Sequence, residues 1–522
     1  MLPSSKPFLG TLFATIFVIP LAILVGFLLA DPTDFTSMVG FGLLFLFFSI
    51  PFLIYLHHTV LILSCTAFIN AFFLPGEPQM WMLLAGLSFL ISIISRPLHG
   101  QTQTYCGNPS LDLSVVFMMA VVLFTMKATG GTGFNILGAQ VFGGRRYITM
   151  LAAVVGYFAL ILNPLSLEKA KSLGSMFWLM SCSSILGNLA FALGPSFYFL
   201  FYLFPVDFVI SQANADNITL SGGFVRLSGL APLGFGLLYW LLARFGLAGI
   251  LDWRKSWRLS VALLSLLFIL MAGFRSNLIL LMLLFMALFF MEKLHRTIYA
   301  AILVGLLLLS SSFLIAFSDR MPLTIQRSLS FLPLKVETVA KADAEGSLNW
   351  RLDMWRVVVT DIPRYFWVGK GFSINPTDLY FSQIALRRGF YSPSEAARLA
   401  GDYHNGPLSV IIPFGILGVI GFVWFLTSVY WVLRNNYKYG HPELRKLNRF
   451  FLGFFIARLI FFLVFFGAAT SDFWLFASIA GLNLSMNRGM ARAPQPIQIN
   501  PQSTLAGTDE SPAVAGKIPV LV

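Results

Sequence analysis

The chain has 522 residues, of which 57% are hydrophobic and 11% charged, and its formal net charge is +13. A soluble domain has about 25% charged residues, so this composition excludes a water-soluble fold and predicts a membrane protein. The positive charge does not indicate a nucleic-acid partner, because the basic residues fall in short loops between apolar runs, as membrane topology requires. Three scattered cysteines (Cys65, Cys106 and Cys182) give neither a disulfide framework nor a zinc spacing.

Long apolar runs predict transmembrane helices, since about 20 such residues cross roughly 30 Å of hydrocarbon. Before one long polar excursion the runs are 8–30, 36–56, 58–74, 80–95, 111–127, 147–162, 173–211, 230–250, 259–273, 276–291 and 298–317. After it they are 407–433, 450–468 and 473–487. We predict an all-α polytopic membrane protein with about 14 transmembrane helices, in a range of 12–15, because prolines interrupt the seventh run.

The same pattern divides the chain into four regions. We predict that 1–317 forms an N-terminal transmembrane bundle and that 318–405 forms one large helical loop outside the membrane. Residues 406–487 form the C-terminal transmembrane helices. The tail at 488–522 is rich in Pro, Gln, Ala and Ser, and we expect it to be disordered and cytoplasmic.

Orientation follows from three basic loops, at 251–258, 292–296 and 434–449. All three fall on one side of the predicted bundle, which is therefore the cytoplasmic side, and the loop at 318–405 lies outside. The N-terminal half stays open. An even number of spans places Lys6 and the loop at 168–171 inside, and an odd number places them outside.

Three arginines fall on the outer face: Arg226 before a span, Arg275 in a tight turn between spans, and Arg351 in the excursion. A charge held between two spans is costly and usually functional, so Arg275 is the most informative. Each also has an ordinary interpretation. Arg226 and Arg275 are also explained as snorkelling interfacial cations, and Arg351 as part of a solvated helix face.

Local signals predict two helices in the excursion. Asn349 is a potential N-cap for a helix that runs to about Asp361. The segment Ser392-Pro393-Ser394-Glu395 is a capping box, with a stop at Gly401.

His404 precedes Asn405, which we predict to cap the next transmembrane helix and to form an anion site at its start. The helix dipole opposes protonation of a nearby imidazole, which keeps it able to act as a base. A polar residue without a role is the alternative for His404.

At this point the sequence resembles a known family. His404-Asn405 followed by Gly415 and Gly418 matches the H-N-x9-G-x-x-G pattern of bacterial O-antigen ligases, which related polysaccharide polymerases and O-linked oligosaccharyltransferases share in part. The resemblance extends over about 220–435 through three further segments in the family's order. These are Arg226 to Gly229 (R-x-x-G), the Arg275-Ser276 turn, and Arg351 and Trp355 followed by Gly369-Lys370-Gly371. Phe274 replaces the serine that is common before the turn arginine.

The resemblance implies a GT-C-type glycosyltransferase in the bacterial inner membrane, with its active site facing the periplasm. The donor would be a glycan on undecaprenyl pyrophosphate, and the acceptor a sugar hydroxyl of lipid A–core or a similar glycan or glycolipid. We expect Arg275 and Arg351, with Arg226 as a third candidate, to bind the pyrophosphate, and His404 to act as the base.

We expect no metal and no cofactor, because the sequence has no D-x-D and no His/Asp cluster at ligand spacing. Asp31 and Asp34 follow the first span, where some GT-C enzymes have an acidic catalytic residue, but a polar interfacial turn explains them as well.

Three alternatives stay open. A polymerase uses the same chemistry with a different acceptor, and an enzyme that glycosylates protein serine is also compatible. A transporter or flippase of lipid-linked glycans belongs to another class. The sequence has no internal repeat, which counts against a transporter. Asp207, near the end of a broken span, is the one residue that would favour a transporter.

Overall fold

The computed structural model describes residues 14–74, 76–98, 105–133, 143–205, 227–373 and 401–493, together with Thr377, Tyr380, Phe381, Ile384 and Arg398. Within these ranges the chain is helical and forms no strand. The apolar runs form helices because only intrahelical hydrogen bonds can satisfy the backbone in hydrocarbon.

Eleven labelled helices precede the excursion in the described ranges. They are α1 (Ile19–Ala30), α2 (Phe35–Ser64), α3 (Met80–Leu98), α4 (Pro109–Thr129), α5 (Gly144–Ile161), α6 (Leu167–Leu179), α7 (Ile185–Leu193), α8 (Leu230–Ile250), α9 (Ser256–Met271), α10 (Arg275–Met291) and α11 (Ile298–Phe317).

The excursion contains three described helices and leads into the last three long helices. They are α12 (Leu323–Leu329), α13 (Thr338–Thr360), α14 (Ile362–Tyr365), α15 (Gly406–Tyr439), α16 (Arg445–Val464) and α17 (Ala469–Asn487).

The core lies among the end of α2, the helices α3 to α6 and α8 to α10, and the three C-terminal helices. In it α17 packs on α5, α15 on α4, and α16 on α10. Aromatic rings fill the contacts, and the indoles of Trp81 and Trp474 stack with centroids 3.6 Å apart. By contrast, no residue of α11 is buried, and only its first part, at Tyr299, Ala300 and Leu303, packs against the core.

The protein is a polytopic helical membrane protein. Among the described residues, eight helices are long and apolar enough to cross a membrane, and four shorter apolar helices accompany them. The predicted number of about 14 spans is therefore not confirmed. The predicted break in the seventh run is present at its first proline, since α7 ends at Leu193 and a 3-10 segment at Pro195–Tyr202 follows.

The prediction of two spans at 36–56 and 58–74 is wrong. One helix, α2, has 30 residues and continues through Pro51. A transmembrane helix tolerates an internal proline, because neighbouring groups satisfy the freed carbonyl. The polar residue His57 does not mark a turn. It lies on the face of α2 towards α3, where its Nδ1 is 2.8 Å from Ser88 Oγ.

Two ion pairs place two of the basic loops, 292–296 and 434–449, at one end of the bundle. Glu292, after α10, pairs with Arg449 of α16 at 3.2 Å. Lys171 of α6 pairs with Glu443, which precedes α16. The loop at 168–171 therefore lies at the same end as 292–296 and 434–449, as the even number of spans requires. The division of the chain at 317, 405 and 487 stays a prediction.

Candidate active site

The start of α15 follows the predicted pattern. Asn405 has an extended backbone, and its Oδ1 accepts a hydrogen bond from the Leu408 N–H at 3.0 Å. Pro407 occupies the first turn, where its missing N–H costs nothing. The preceding residue, His404, therefore lies at the mouth of a long helix.

The backbone of His404 is strained. Its φ is +46°, in the left-handed region that few residues other than glycine adopt. Such a conformation costs on the order of 1–3 kcal/mol and persists only where the surroundings impose it. Trp355 is one such constraint, because its Nε1 donates to the carbonyl of Tyr403 at 2.8 Å. Trp355 of α13 thus holds the residue just before the histidine.

The imidazole of His404 lies between two aromatic rings. Its centroid is 5.3 Å from that of Trp350, nearly edge-on, and 5.2 Å from that of Phe466. The Nδ1 atom is 3.6 Å from Asp402 Oδ1, and no hydrogen bond from the described residues reaches it. A distance of this size before substrate binding is common for catalytic groups, which tighten in the complex.

Arg351 shares the same two aromatic partners. Its guanidinium carbon is 5.6 Å from the Trp350 ring centroid and 5.7 Å from that of Phe466. The two candidate residues His404 and Arg351 are thus brought together. Burial lowers the pKa of His404 below its usual 6.5, the charge of Arg351 lowers it further, and Asp402 partly opposes both. The imidazole is therefore kept neutral.

Arg275 begins α10 and reaches the same helix of the excursion. Its guanidinium donates to the carbonyl of Ala344 in α13. Ala344 and Arg351 are about two helical turns apart and so lie on one face of α13. The two arginines therefore approach one face of one helix, about 10 Å apart along its axis.

Sequence reasoning missed Arg327 of α12. Only 3% of this residue is exposed, and its guanidinium donates to the carbonyl of Gly273 in the turn before Arg275. The next residue, Ser328, donates to Leu270 O at 3.0 Å. The short helix α12 thus fixes the turn that carries Arg275. No pattern in the sequence marked it, because the contact joins segments that are distant in the chain.

Main-chain hydrogen bonds join the excursion to α15. Lys370 N donates to Ile412 O at 2.7 Å, Gly371 N to Pro413 O at 3.0 Å, and Ile416 N to Phe366 O at 2.6 Å. The helix is broken at Gly415, with φ +61° and ψ −158°, so the carbonyls of Ile412 and Pro413 accept bonds from outside. We call the joined segments 366–371 and 412–416 the backbone junction.

Phe466 lies in the turn between α16 and α17, and a hydrogen-bond network around Asp472, which sequence reasoning did not identify, fixes this turn. Buried Asp472 accepts hydrogen bonds from Arg458 Nε at 2.7 Å and from the Ala468 N–H at 2.9 Å. The Ala469 N–H donates to Ser409 Oγ of α15 at 2.8 Å. The turn between α16 and α17 is thus fixed against the helix that follows His404.

Several predictions lie outside the described residues or are corrected. Arg226 and the capping box at 392–395 lie outside them. The prediction that Asn349 caps a helix is wrong, since α13 begins at Thr338 and runs through Asn349. Asp34 caps α2, with Oδ2 accepting the Thr36 N–H at 2.9 Å, which supports the interpretation as a polar turn.

In the part of the chain that the structure describes, no three His, Cys, Asp or Glu side chains converge on a potential metal position. The charged groups that meet near His404 are a guanidinium and a carboxylate. The arrangement is chemically suited to proton transfer and to binding an anion.

Comparison with models of known protein families gives a match. The O-antigen ligase family model matches residues 260–423, which is less than half of the chain but includes Arg275, Arg351 and His404. No curated protein matches the chain. The match supports glycan transfer of the ligase or polymerase type in general. It confirms the resemblance that the motifs indicated, and it makes 260–423 an O-antigen ligase-like segment within a multi-pass helical membrane protein.

Proposed function

We propose that the protein transfers a glycan from undecaprenyl pyrophosphate to a sugar hydroxyl of lipid A–core or a similar acceptor. The reaction takes place at the outer face of the inner membrane, in a GT-C-type enzyme. One observation carries the proposal: a histidine in a strained conformation shares two aromatic partners with an arginine at the mouth of a helix. A neutral base beside a fixed cation suits attack on a donor with an anionic leaving group.

In the proposed reaction, Nε2 of His404 accepts the proton of the acceptor hydroxyl as its oxygen attacks the anomeric carbon. The new C–O bond forms as the bond to the pyrophosphate oxygen breaks. The electron pair leaves with undecaprenyl pyrophosphate, and the histidine later releases its proton to water. Because attack is direct and from the opposite side, the anomeric configuration inverts.

The leaving group carries the developing negative charge, and the proposal assigns its stabilisation to Arg351 and Arg275. Guanidinium stays protonated and offers two parallel donors to a phosphate. Both arginines approach one face of α13, which supports their action on one pyrophosphate. Arg226 stays a third candidate. The mechanism requires no metal, since the arginines supply the positive charge.

The test is His404→Asn in the full chain, purified into nanodiscs with lipid-linked donor and glycolipid acceptor. Asparagine tolerates a left-handed backbone better than alanine, so this variant removes the base with the least strain. We expect transfer to fall by about 10²–10⁴-fold with little change in thermal stability. Exposed His295, at the other end of the bundle, gives the matched control His295→Asn, which keeps full activity.

Near-normal transfer by folded His404→Asn would show that His404 is not the base. Two measurements separate the alternatives. With a donor that carries a single repeat unit, product that contains two or more repeat units identifies a polymerase. Movement of the donor across the bilayer of proteoliposomes, without any transfer by the wild type, identifies a transporter and overturns the proposed function.

A further inference from the structure

A second group of cations lies beside the candidate active site. It consists of Arg146, Lys370, Arg364 and Arg398, and we call it the Lys370 cluster. Arg146 lies in the first turn of α5, Arg364 in α14, and Lys370 within the backbone junction. Arg398 pairs with Asp361 at 3.5 Å. Arg146, the neighbouring Arg364 and Lys370, and Arg398 thus bring positive charge from different parts of the chain to one place.

Arg146 is held in the cluster by two contacts. Its Nη1 donates to the carbonyl of Gly401 at 3.2 Å, and its guanidinium carbon is 5.6 Å from the ring centroid of Phe372. The adjacent Arg145 is directed elsewhere, since its Nη2 donates to Glu77 O at 3.1 Å. The two neighbouring arginines therefore have different partners, and of the two only Arg146 contacts the segment that leads to His404.

The cluster has more positive than negative charge. Its four cations face two described carboxylates, Asp361 and Asp402. Asp402 is also engaged near the imidazole of His404, 3.6 Å from its Nδ1.

Lys370 shows the imbalance most clearly. Burial lowers its pKa, Arg398, Arg364 and Arg146 lower it further, and Asp361 opposes them only in part. Like charges held together at a partly buried position are unfavourable, and an anion bound there would relieve the repulsion.

The Lys370 cluster is close to His404 but separate from Arg275 and Arg351, the two arginines proposed to bind the pyrophosphate. Arg146 contacts the carbonyl of Gly401, three residues before His404, a span of at most about 10 Å in extended chain. Arg351 and Arg275 instead approach along α13. A glycan whose hydroxyl is at His404 would therefore reach the cluster within a few sugar units.

We propose that the Lys370 cluster is an anion subsite that binds a carboxylate or phosphate carried by the acceptor glycan. This proposal rests on the proposed function, because it assumes that the attacking hydroxyl is bound at His404. Its ligand would be an acidic glycan, such as one with a uronic acid or a sugar phosphate near the acceptor end. Lysine and arginine both bind such groups through charge-assisted hydrogen bonds.

The test uses the full chain in nanodiscs with three acceptors: a glucuronide-terminated glycolipid, its uncharged glucoside counterpart, and the same glucoside carrying a 6-phosphate. The variants are Arg146→Gln and Lys370→Gln, with Arg145→Gln as the matched control. We expect each cluster variant to raise KM about tenfold for one or both anionic acceptors, as loss of a charge-assisted hydrogen bond implies. The KM for the uncharged acceptor, kcat and all values for Arg145→Gln stay unchanged.

The two anionic acceptors identify whether carboxylate or phosphate is bound. Equal loss with all three acceptors, or a rise in the KM of the lipid-linked donor, would overturn the proposal, since the cluster would then serve the fold or the pyrophosphate. Binding of the free glucuronide and phosphate oligosaccharides is measured without donor. If the wild type binds them no better than the variants, the subsite does not exist. If the wild type binds them but transfers to no acceptor, the proposed function fails while the subsite stands.

Discussion

The environment of His404 determines how the activity should depend on pH. The imidazole is nearly covered by Trp350 and Phe466, and only 23% of its side chain is exposed. Burial and Arg351 together lower its pKa, because both disfavour the protonated form. A base is active when it is deprotonated. The acidic limb of kcat/KM should therefore have its midpoint below 6.5, and activity should persist in mildly acidic conditions.

Substitution at Asp402 tests this interpretation, because its carboxylate raises the pKa of His404. Asp402→Asn removes that charge, so we expect the acidic limb to move to lower pH. Measurement of kcat/KM against pH for the wild type and the variant checks the shift. If the midpoint of the acidic limb lay above pH 6.5 in the wild type, or moved to higher pH in Asp402→Asn, the limb could not be assigned to this histidine.

Sequence reasoning identified single residues where a local signal existed. The N-cap at Asn405 was predictable, because the rule depends on residues adjacent in the chain. His404, Arg275 and Arg351 came from motifs, and their roles stay predictions. Arg327, Asp472 and the bond from Trp355 to Tyr403 were not predictable, since each joins segments that only the packed fold brings together.

Among the elements, the broken helix α15 has the clearest consequence. Gly415 adopts φ and ψ values that are essentially restricted to glycine, and a Cβ there would lie 2.7 Å from the carbonyl oxygen of Phe366. We expect Gly415→Ala to disrupt the backbone junction and to lower stability by about 2 kcal/mol or more, with a matching loss of transfer. Thermal unfolding and the transfer assay, both in nanodiscs, measure the two effects.

The control for this substitution is Gly305→Ala on lipid-facing α11, where a Cβ would meet nothing within 4 Å. Alanine favours the helix there, so stability should be unchanged or slightly higher. Unaltered stability and activity in Gly415→Ala would show that the break in α15 does not support the site.

Helix positions were largely predictable from hydropathy, whereas helix boundaries inside long runs were not. The single helix α2 replaced two predicted spans because a polar histidine can face a neighbouring helix. In the excursion, α13 begins before Asn349 because its first part also packs: Ala340 and Ala344 are fully buried, and α12 contacts α13. Capping signals do not reveal such contacts between segments.

For the whole molecule, two ion pairs place the basic loops 292–296 and 434–449 together and leave the candidate active site at the other end. The excess of positive charge predicts that the end with the basic loops is cytoplasmic.

Cysteine labelling of intact cells checks this orientation, in a chain with its three native cysteines replaced by alanine. We expect a membrane-impermeant reagent to label exposed Arg356→Cys, and to label exposed Arg254→Cys only after lysis. The reverse pattern would place the site in the cytoplasm and contradict a periplasmic acceptor.

The backbone junction separates what folds the protein from what selects its substrate. Its bonds use only main-chain atoms, so they constrain where Lys370 lies but not which side chain stands there. The same scaffold can therefore present a different group at that position without losing its architecture. If the Lys370 cluster binds the acceptor as proposed, single substitutions at one rigid place would change acceptor preference, which makes position 370 the first choice for altering it.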